Sequence, residues 1–268
     1  MKKIKNLFYS ALVVLSLGIL GAWAPIGVIS TEDRYADAQF YSVCATETIT
    51  FDNKEKDERV NFAPQYTIIS GLTNACGAVA GTEVIGYYDK YYPNMIPDWE
   101  SFYAATGKYR LQDKVYIPSV MTELYTLMNT NVGGDGVSES DFVNGLKQYI
   151  TGKGYGVNMQ NVVSGTNVDY TACKTAINNN KVIALLSEPT DVYSISEGTT
   201  QDTIVSASIS DLHIMIASGY REIKYYKNGA LFRTDRYLIV SSGSKALGLV
   251  NYNINNNKLN SAYIVSII

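Results

Sequence analysis

The spacing of apolar positions predicts helices in the first half of the chain. Four segments show this spacing, at about residues 76–91, 118–128, 138–150 and 170–177. The first contains no proline, and Ala80, Val84 and Tyr87 lie on one stripe at helical periodicity. Pro118 suits the start of the second helix, because proline lacks the N–H that a helix start leaves unpaired.

From residue 181 onward the pattern changes to short apolar runs that are typical of strands. These runs are residues 181–186, 212–220, 237–240, 249–253 and 262–268. Residues 212–220 are apolar on both faces, as a central strand requires. Lys227-Asn228-Gly229 is a hairpin signal, and a weaker alternating run covers residues 47–51. A helical first half followed by a largely antiparallel second half predicts an α+β fold.

Small residues are concentrated in the helix predicted at residue 76. Gly77, Ala78, Gly81 and Gly86 include three glycines, which lower the intrinsic helix propensity. Their number indicates a buried helix that another part of the chain approaches closely. Asn74, just before this helix, is the expected N-cap residue.

The N-terminus has the pattern of an export signal. Three lysines within the first five residues precede an apolar run from Leu7 to about Leu20. Two A-x-A cleavage sites follow, ending at Ala24 and at Ala38, and the second is favoured because Pro25 follows the first. An uncleaved membrane anchor is the alternative, since the apolar stretch can be extended to Ile29. We therefore expect a secreted protein.

The expected organisation has three parts. Residues 1–38 form a signal peptide or N-terminal anchor, and residues 62–268 form the main domain. Residues 39–61 are polar, and the sequence leaves open whether they are a removable pro-segment or the N-terminal edge of the domain. With 46% hydrophobic residues, the chain can build a sizeable core.

The distribution of charged residues bears on whether the chain is expected to bind nucleic acid. The net charge is −3, and no cluster of lysines and arginines occurs beyond the first five residues. Nucleic acids are bound largely through such clusters, so no nucleic-acid partner is expected. Membrane contact is expected only transiently, through the signal segment.

The cysteine count raises the question of a reactive thiol. The chain has Cys44, Cys76 and Cys173, and an odd number in an exported protein leaves at least one thiol unpaired within the chain. If Cys76 is that thiol, Cys44 and Cys173 are either bridged to each other or both buried and inert. No C-x-x-C pair occurs, and the chain has one histidine, so no metal or other cofactor is expected.

Cys76 and His213 carry the candidate chemistry. Cys76 begins a predicted helix, whose N-terminal partial positive charge favours the nucleophilic thiolate. His213 lies at the start of the predicted central strand and can exchange protons near neutral pH. A cysteine on an early helix followed far downstream by a histidine is the chain order of papain-like hydrolases. The alternatives are a buried structural cysteine and a core histidine.

Two motifs resemble the bacteriocin-processing-peptidase-like group of papain-like cysteine peptidases. NACGAVA at residues 74–80, continuing to GYYD at residues 86–89, is similar to the nucleophile helix of that group. HIMIASGY at residues 213–220 is similar to its histidine strand, and YLIV at residues 237–240 to the strand that follows. The resemblance extends over roughly residues 62–253. It implies a helical first lobe, with the nucleophile on a central helix, packed on an antiparallel second lobe.

The resemblance also implies further site residues. Gln65 has the context of the glutamine whose amide helps to stabilise the oxyanion, although a surface glutamine is an equal alternative. Ser242 lies closest to the position of the Asn or Asp that orients the imidazole, and Ala78 replaces the usual proline. Because a serine cannot stabilise imidazolium as a carboxylate does, this departure leaves weak activity open.

The implied function is a secreted cysteine peptidase that hydrolyses peptides or proteins. Two alternatives stay open: a peptidoglycan hydrolase, and a catalytically weak or inactive domain that acts as a surface binding module. No G-x-x-x-x-G-K-[ST] motif is present, so the transporter-fused form of the group is not expected.

Overall fold

The computed structural model describes residues 41–61, 63–99, 112–243, 249–256 and 258–268. Residues 1–38, with the expected signal segment and its two cleavage sites, lie outside the described part of the chain. Among the described helices, none has the length and apolar character needed to cross a membrane.

The described part contains four helices, and each begins within three residues of its predicted start. They are α1 (Cys76–Asp89), α2 (Tyr116–Leu127), α3 (Glu139–Gly152) and α4 (Tyr170–Asn178). Ser138 caps α3, because its side chain accepts a hydrogen bond from the backbone N–H of Asp141. Asp169 caps α4 in the same way.

Twelve strands account for most of the second half of the described chain and for its N-terminal end. They are β1 (Tyr41–Thr50), β2 (Asn53–Val60), β3 (Val157–Asn161), β4 (Val163–Ser164), β5 (Asn167–Val168), β6 (Val182–Ser187), β7 (Thr190–Ser196), β8 (Gln201–Ile209), β9 (His213–Lys227), β10 (Ala230–Ser241), β11 (Leu249–Asn253) and β12 (Leu259–Ile267). All five predicted runs from residue 181 onward are strands.

Ten of these strands form one antiparallel sheet. Its order is β1-β8-β7-β11-β10-β9-β6-β12-β3, and β2 also pairs with β9. The short strands β4 and β5 pair separately with each other. The molecule is therefore an α+β protein with a large antiparallel sheet, as the sequence predicts.

Strand β9 organises the sheet because it pairs along its length on both edges. Strand β10 covers one edge, while β6 and then β2 share the other. Gly219 lies where β6 gives way to β2, and a Cβ there would come within 2.7 Å of the Arg59 carbonyl oxygen. The hairpin to β10 turns at Asn228 and Gly229, which have φ of 51° and 75°, as the tight turn requires.

The core lies on both faces of this sheet. Along β9, Ile214 and Ile216 belong to the core cluster shared with α1, α2 and α3. Met215 and Ala217 belong to a second cluster, which includes α4. This alternation follows from the two-residue period of a strand and places the helices α1 to α3 together on one face.

Residues 41–60 are part of the same sheet. Strand β1 pairs with β8 and β2 pairs with β9. A third, smaller core cluster joins these strands and includes Ile49, Phe51 and Tyr225. The predicted strand over residues 47–51 is thus the end of β1 and the turn after it.

Cys173 is a free thiol on α4, and its side chain is fully buried. The expected alternative of a disulfide bridge between Cys44 and Cys173 is therefore wrong for Cys173, whose surroundings are the apolar second core cluster. The side chain of Cys44 lies outside the described part of the structure. Burial raises the pKa of the Cys173 thiol to about 12, which makes this thiol inert.

Candidate active site

Cys76 is the first residue of α1 and is partly exposed, whereas residues 77–89 of the same helix are buried. The helix therefore reaches the surface at Cys76. The residue after Cys76 is a glycine, and a Cβ on Gly77 would lie only 2.5 Å from Cγ1 of Val137. Lacking one, Gly77 lets the residue 137 loop close over the helix beside Cys76.

His213 is the first residue of β9, and its imidazole lies close enough to Cys76 to lower the pKa of the thiol. The two residues come together because α1 packs against β9, with Ile214 in the core cluster that includes this helix. His213 is itself partly buried. The structure thus joins two side chains that lie 137 positions apart in the sequence.

The surroundings of Cys76 favour a thiolate. Burial alone raises the pKa of the Cys76 thiol, but the hydrogen bond and charge of His213 lower it. The backbone N–H groups of Ile214 and Gly77 lower the pKa further, so the net pKa of the thiol falls below its ordinary value. The N-terminal end of α1 adds a partial positive charge in the same direction.

The surroundings of His213 favour the imidazolium. Burial lowers the pKa of His213, but the hydrogen bond and charge of Cys76, the carbonyl of Ser242 and the charge of Glu83 raise it. The net pKa of His213 is higher than usual. Both shifts have the sign that stabilises a thiolate–imidazolium pair near neutral pH.

Ser242 orients the imidazole through its backbone. Nε2 of His213 lies 2.7 Å from the Ser242 carbonyl oxygen. A carbonyl can only accept a hydrogen bond, so Nε2 carries a proton in either charge state and Nδ1 is the nitrogen available to the thiol. The structure places Ser242 next to the imidazole, where the atom that contacts Nε2 is the backbone carbonyl oxygen, whereas the sequence leads us to expect the hydroxyl.

Gln65 lies beside the middle of α1. The backbone N–H of the next residue, Tyr66, donates to Glu83, and Pro64 packs near Gly86. Glu83 is seven residues beyond Cys76, which is about 10 Å along a helix axis. No hydrogen bond joins Gln65 to Cys76 among the described residues, so its oxyanion role stays a prediction of the sequence.

Glu83 is a site residue that the sequence reasoning does not identify. It lies on α1 and is 1% exposed, and burial raises the pKa of its carboxyl to about 8. Its Oε1 accepts hydrogen bonds from the backbone N–H of Tyr66, at 3.0 Å, and from the hydroxyl of Ser241. The sequence signal was available, since Glu83 is the one charged residue between positions 76 and 88.

Asn74 is not the N-cap of α1, contrary to prediction. The capping position is Ala75, which has no side-chain cap. Asn74 instead has a left-handed φ of 52°, and its amide donates to Asn131 Oδ1 at 3.1 Å. Asn131 also donates to Thr73 and accepts from Gly136 N, so this asparagine ties the glycine-rich loop to the segment that precedes Cys76.

Within the described residues, no group of three or more His, Cys, Asp and Glu side chains is arranged to hold a metal ion.

No family model, curated protein or solved structure matches the chain.

Proposed function

We propose that this chain is a secreted cysteine peptidase, in which Cys76 is the nucleophile and His213 the acid–base residue. One observation carries the proposal. A partly exposed cysteine at a helix N-terminus lies beside an imidazole that lowers the pKa of its thiol, and Nε2 of that imidazole lies 2.7 Å from a carbonyl oxygen. Each part of this arrangement favours the thiolate, which is the nucleophilic form of cysteine.

In the proposed acylation step, the Cys76 thiolate attacks the carbonyl carbon of a peptide bond and forms a tetrahedral oxyanion. The backbone N–H of Cys76 is a donor for that oxyanion, because the first N–H groups of a helix have no acceptor within it. When the carbon–nitrogen bond breaks, Nδ1 of His213 gives its proton to the departing amine. The product is a thioester on Cys76 and a neutral imidazole.

In the proposed deacylation step, His213 acts in the opposite direction. Its neutral Nδ1 takes a proton from water, and the resulting hydroxide equivalent attacks the thioester. Collapse of the second oxyanion releases the acid and restores the thiolate–imidazolium pair. The Ser242 carbonyl accepts from Nε2 throughout, so the ring keeps one orientation for both proton transfers.

The arrangement of elements supports a papain-like architecture as the finer description of the fold. The nucleophile helix α1 is buried by α2 and α3 on one side and by the sheet on another. The histidine strand β9 is central in an antiparallel sheet. Both features support the two-part arrangement that the motif resemblance implies. We propose export on the basis of the N-terminal sequence pattern.

Labelling with an epoxysuccinyl peptide probe, which alkylates activated papain-like cysteines, tests the proposal. The chain without residues 1–38 should be labelled at Cys76, and Cys76→Ala should not be labelled. Cys173→Ala is the matched control, because its thiol is buried and inert, and this variant should be labelled as the wild type is. Absence of wild-type labelling would overturn the peptidase assignment and favour a binding module.

Substrate assays then separate the two enzymatic hypotheses. Hydrolysis of casein without release of fragments from purified cell wall supports a protein substrate. The opposite result would replace it with a peptidoglycan hydrolase that uses the same thiol chemistry.

A further inference from the structure

Glu83 is a buried carboxyl that the proposed mechanism does not use. It lies two turns beyond Cys76 on α1, and 1% of the residue is exposed. A buried carboxyl is costly unless its oxygens are hydrogen-bonded, and retaining one inside an apolar helix calls for a physical reason. The two hydrogen bonds to Oε1 show what this carboxyl holds in place.

Both hydrogen bonds fix chain segments around the candidate site. The Ser241 hydroxyl donates to Oε1 of Glu83, and Ser241 is the last residue of β10. The next residue is Ser242, whose carbonyl accepts from Nε2 of His213. The second bond, from the backbone N–H of Tyr66, holds the segment that runs toward Cys76. Glu83 is therefore linked to the imidazole through the Ser241 hydroxyl and the backbone from Ser241 to the Ser242 carbonyl.

His213 is the charged group that acts on Glu83. Burial raises the pKa of Glu83, and the hydroxyl of Ser241 on β10, the backbone N–H of Tyr66 and, least of all, the charge of His213 on β9 oppose it. The charge of Glu83 in turn raises the pKa of His213, as the charge of Cys76 does more strongly. Among the described residues, no lysine or arginine forms an ion pair with Glu83.

We propose that Glu83 is a positioning residue for His213: through the Ser241 hydroxyl it holds the strand end whose next residue orients the imidazole, and it places a buried carboxyl behind that strand end. The assignment rests on the proposed role of His213 in the cysteine peptidase. It adds a buried carboxyl to a site in which the hydrogen bond that the structure describes at Nε2 is made to a backbone carbonyl.

The charge of Glu83 depends on pH, and this determines when it acts. Because the pKa of Glu83 is raised to about 8, the carboxyl is neutral in acidic and neutral solution and ionised in alkaline solution. As pH rises through this range, the new negative charge stabilises the imidazolium and delays its loss of a proton. Replacement by a neutral amide should therefore change the alkaline limb of the pH profile and leave the acidic limb in place.

Nuclear magnetic resonance titration of His213 tests this inference, because His213 is the only histidine in the chain. The matched variants are Glu83→Gln, which removes the charge but keeps an oxygen acceptor, and Glu123→Gln, which removes an exposed carboxylate on α2. In Glu83→Gln the imidazole should lose its proton about one pH unit lower than in the wild type. Glu123→Gln should titrate as the wild type does.

Two further measurements keep the test decisive. If Glu83→Gln does not fold, Ser241→Ala should raise the pH at which Glu83 ionises, since the lost hydrogen bond favours the carboxylate. Identical His213 titrations in the wild type and Glu83→Gln would overturn the inference, even if the variant is less stable to heat. Probe labelling reports separately on the peptidase: a shifted titration in a protein that the probe does not label would reject the peptidase and retain the Glu83–His213 coupling.

Discussion

The imidazole of His213 is hydrogen-bonded to a backbone carbonyl oxygen, so its orientation does not depend on the side chain at position 242. The Ser242 carbonyl accepts from Nε2, and a carbonyl is present whatever residue occupies position 242. Ser242→Ala should therefore keep kcat/KM within about tenfold of the wild type, the scale of a single neutral hydrogen bond. A loss of ~100-fold or more in this variant would show that the hydroxyl takes part in catalysis.

His213→Ala provides the contrast for that measurement. Removing the general acid and base should lower kcat at least ~100-fold while leaving the sheet intact, since His213 is the partly buried first residue of β9. More than a tenth of the wild-type rate in purified His213→Ala would require another base. Circular dichroism of each variant serves as the folding control.

The activity that depends on Cys76 and His213 should fall at both low and high pH. Because its pKa is lowered, the thiolate persists below the ordinary thiol range and is lost as pH falls through the lowered value. Because the pKa of His213 is raised, the imidazolium persists above the ordinary histidine range and is lost as pH rises. A plot of kcat/KM against pH should be bell-shaped and extend around neutrality, and Cys173 should stay unalkylated throughout. A Cys76 alkylation rate that begins to rise only near pH 8.5 would contradict the ion pair.

At the residue scale, the sequence predicts Cys76 and His213 but not the residues that surround and position them. Cys76 and His213 stand out because a thiol at a helix start and a lone imidazole have specific chemistry. Glu83 does not, because its role arises only when β10 folds back over α1 and brings Ser241 to it. Asn74 shows the opposite error: its type fits a cap, but its partner is Asn131, in a loop 57 residues away.

At the element scale, the glycines of α1 leave space that side chains from neighbouring segments occupy. A Cβ at Gly86 would lie 2.5 Å from the Tyr66 hydroxyl oxygen and 3.1 Å from Pro64 Cγ, and Tyr66 is fully buried. Gly86→Ala should therefore lower the free energy of unfolding by about 1–3 kcal/mol through overpacking. Chemical denaturation measures this change.

Gly152 provides the matched control for Gly86. It is the last residue of α3, and a Cβ there would meet no atom within 4 Å. Gly152→Ala should keep or raise the free energy of unfolding, by up to about 1 kcal/mol, because alanine has the higher helix propensity. Equal destabilisation of the two variants would show that backbone effects, and not the close packing of Tyr66 against Gly86, determine the loss of stability.

The elements that the sequence reasoning missed are half-buried strands. β7 and β8 alternate buried and more exposed residues and are rich in serine and threonine. Their apolar content is low because only one face is covered, so they resemble loops in a sequence. The predicted runs such as β6, whose six residues are all buried, lie between other strands and are covered on both faces.

At the scale of the whole molecule, the place of residues 41–60 depends on distant partners. Strand β1 pairs with β8, and β2 pairs with β9, so their hydrogen-bonding partners lie more than 140 residues away. No local pattern reports such a pairing, which is why the sequence leaves the pro-segment alternative open. The structure supplies the missing information: β2 covers part of one edge of β9, and β1 covers the edge of β8.

Removal of residues 39–61 should therefore destabilise the protein and not activate it. Truncation exposes the β9 edge from Gly219 to Tyr226 and breaks the bond from Asn61 N to the Ser218 carbonyl. It also removes Lys54, whose Nζ lies 2.8 Å from the fully buried carboxylate of Asp202. An unpaired buried carboxylate alone costs about 3–5 kcal/mol, and the cost here is at the lower end because Lys54 is partly exposed.

Comparison of chains 39–268 and 62–268 tests this prediction, with N-terminal sequencing of the naturally exported protein as a second measurement. The longer chain should unfold cooperatively and be labelled by the probe, whereas the shorter one should aggregate or unfold at lower denaturant concentration. Lys54→Met in the longer chain isolates the contribution of the buried ion pair and should give part of the same loss. A natural N-terminus near residue 62, with labelling and stability equal to those of chain 39–268, would show instead that β1 and β2 form a removable pro-segment.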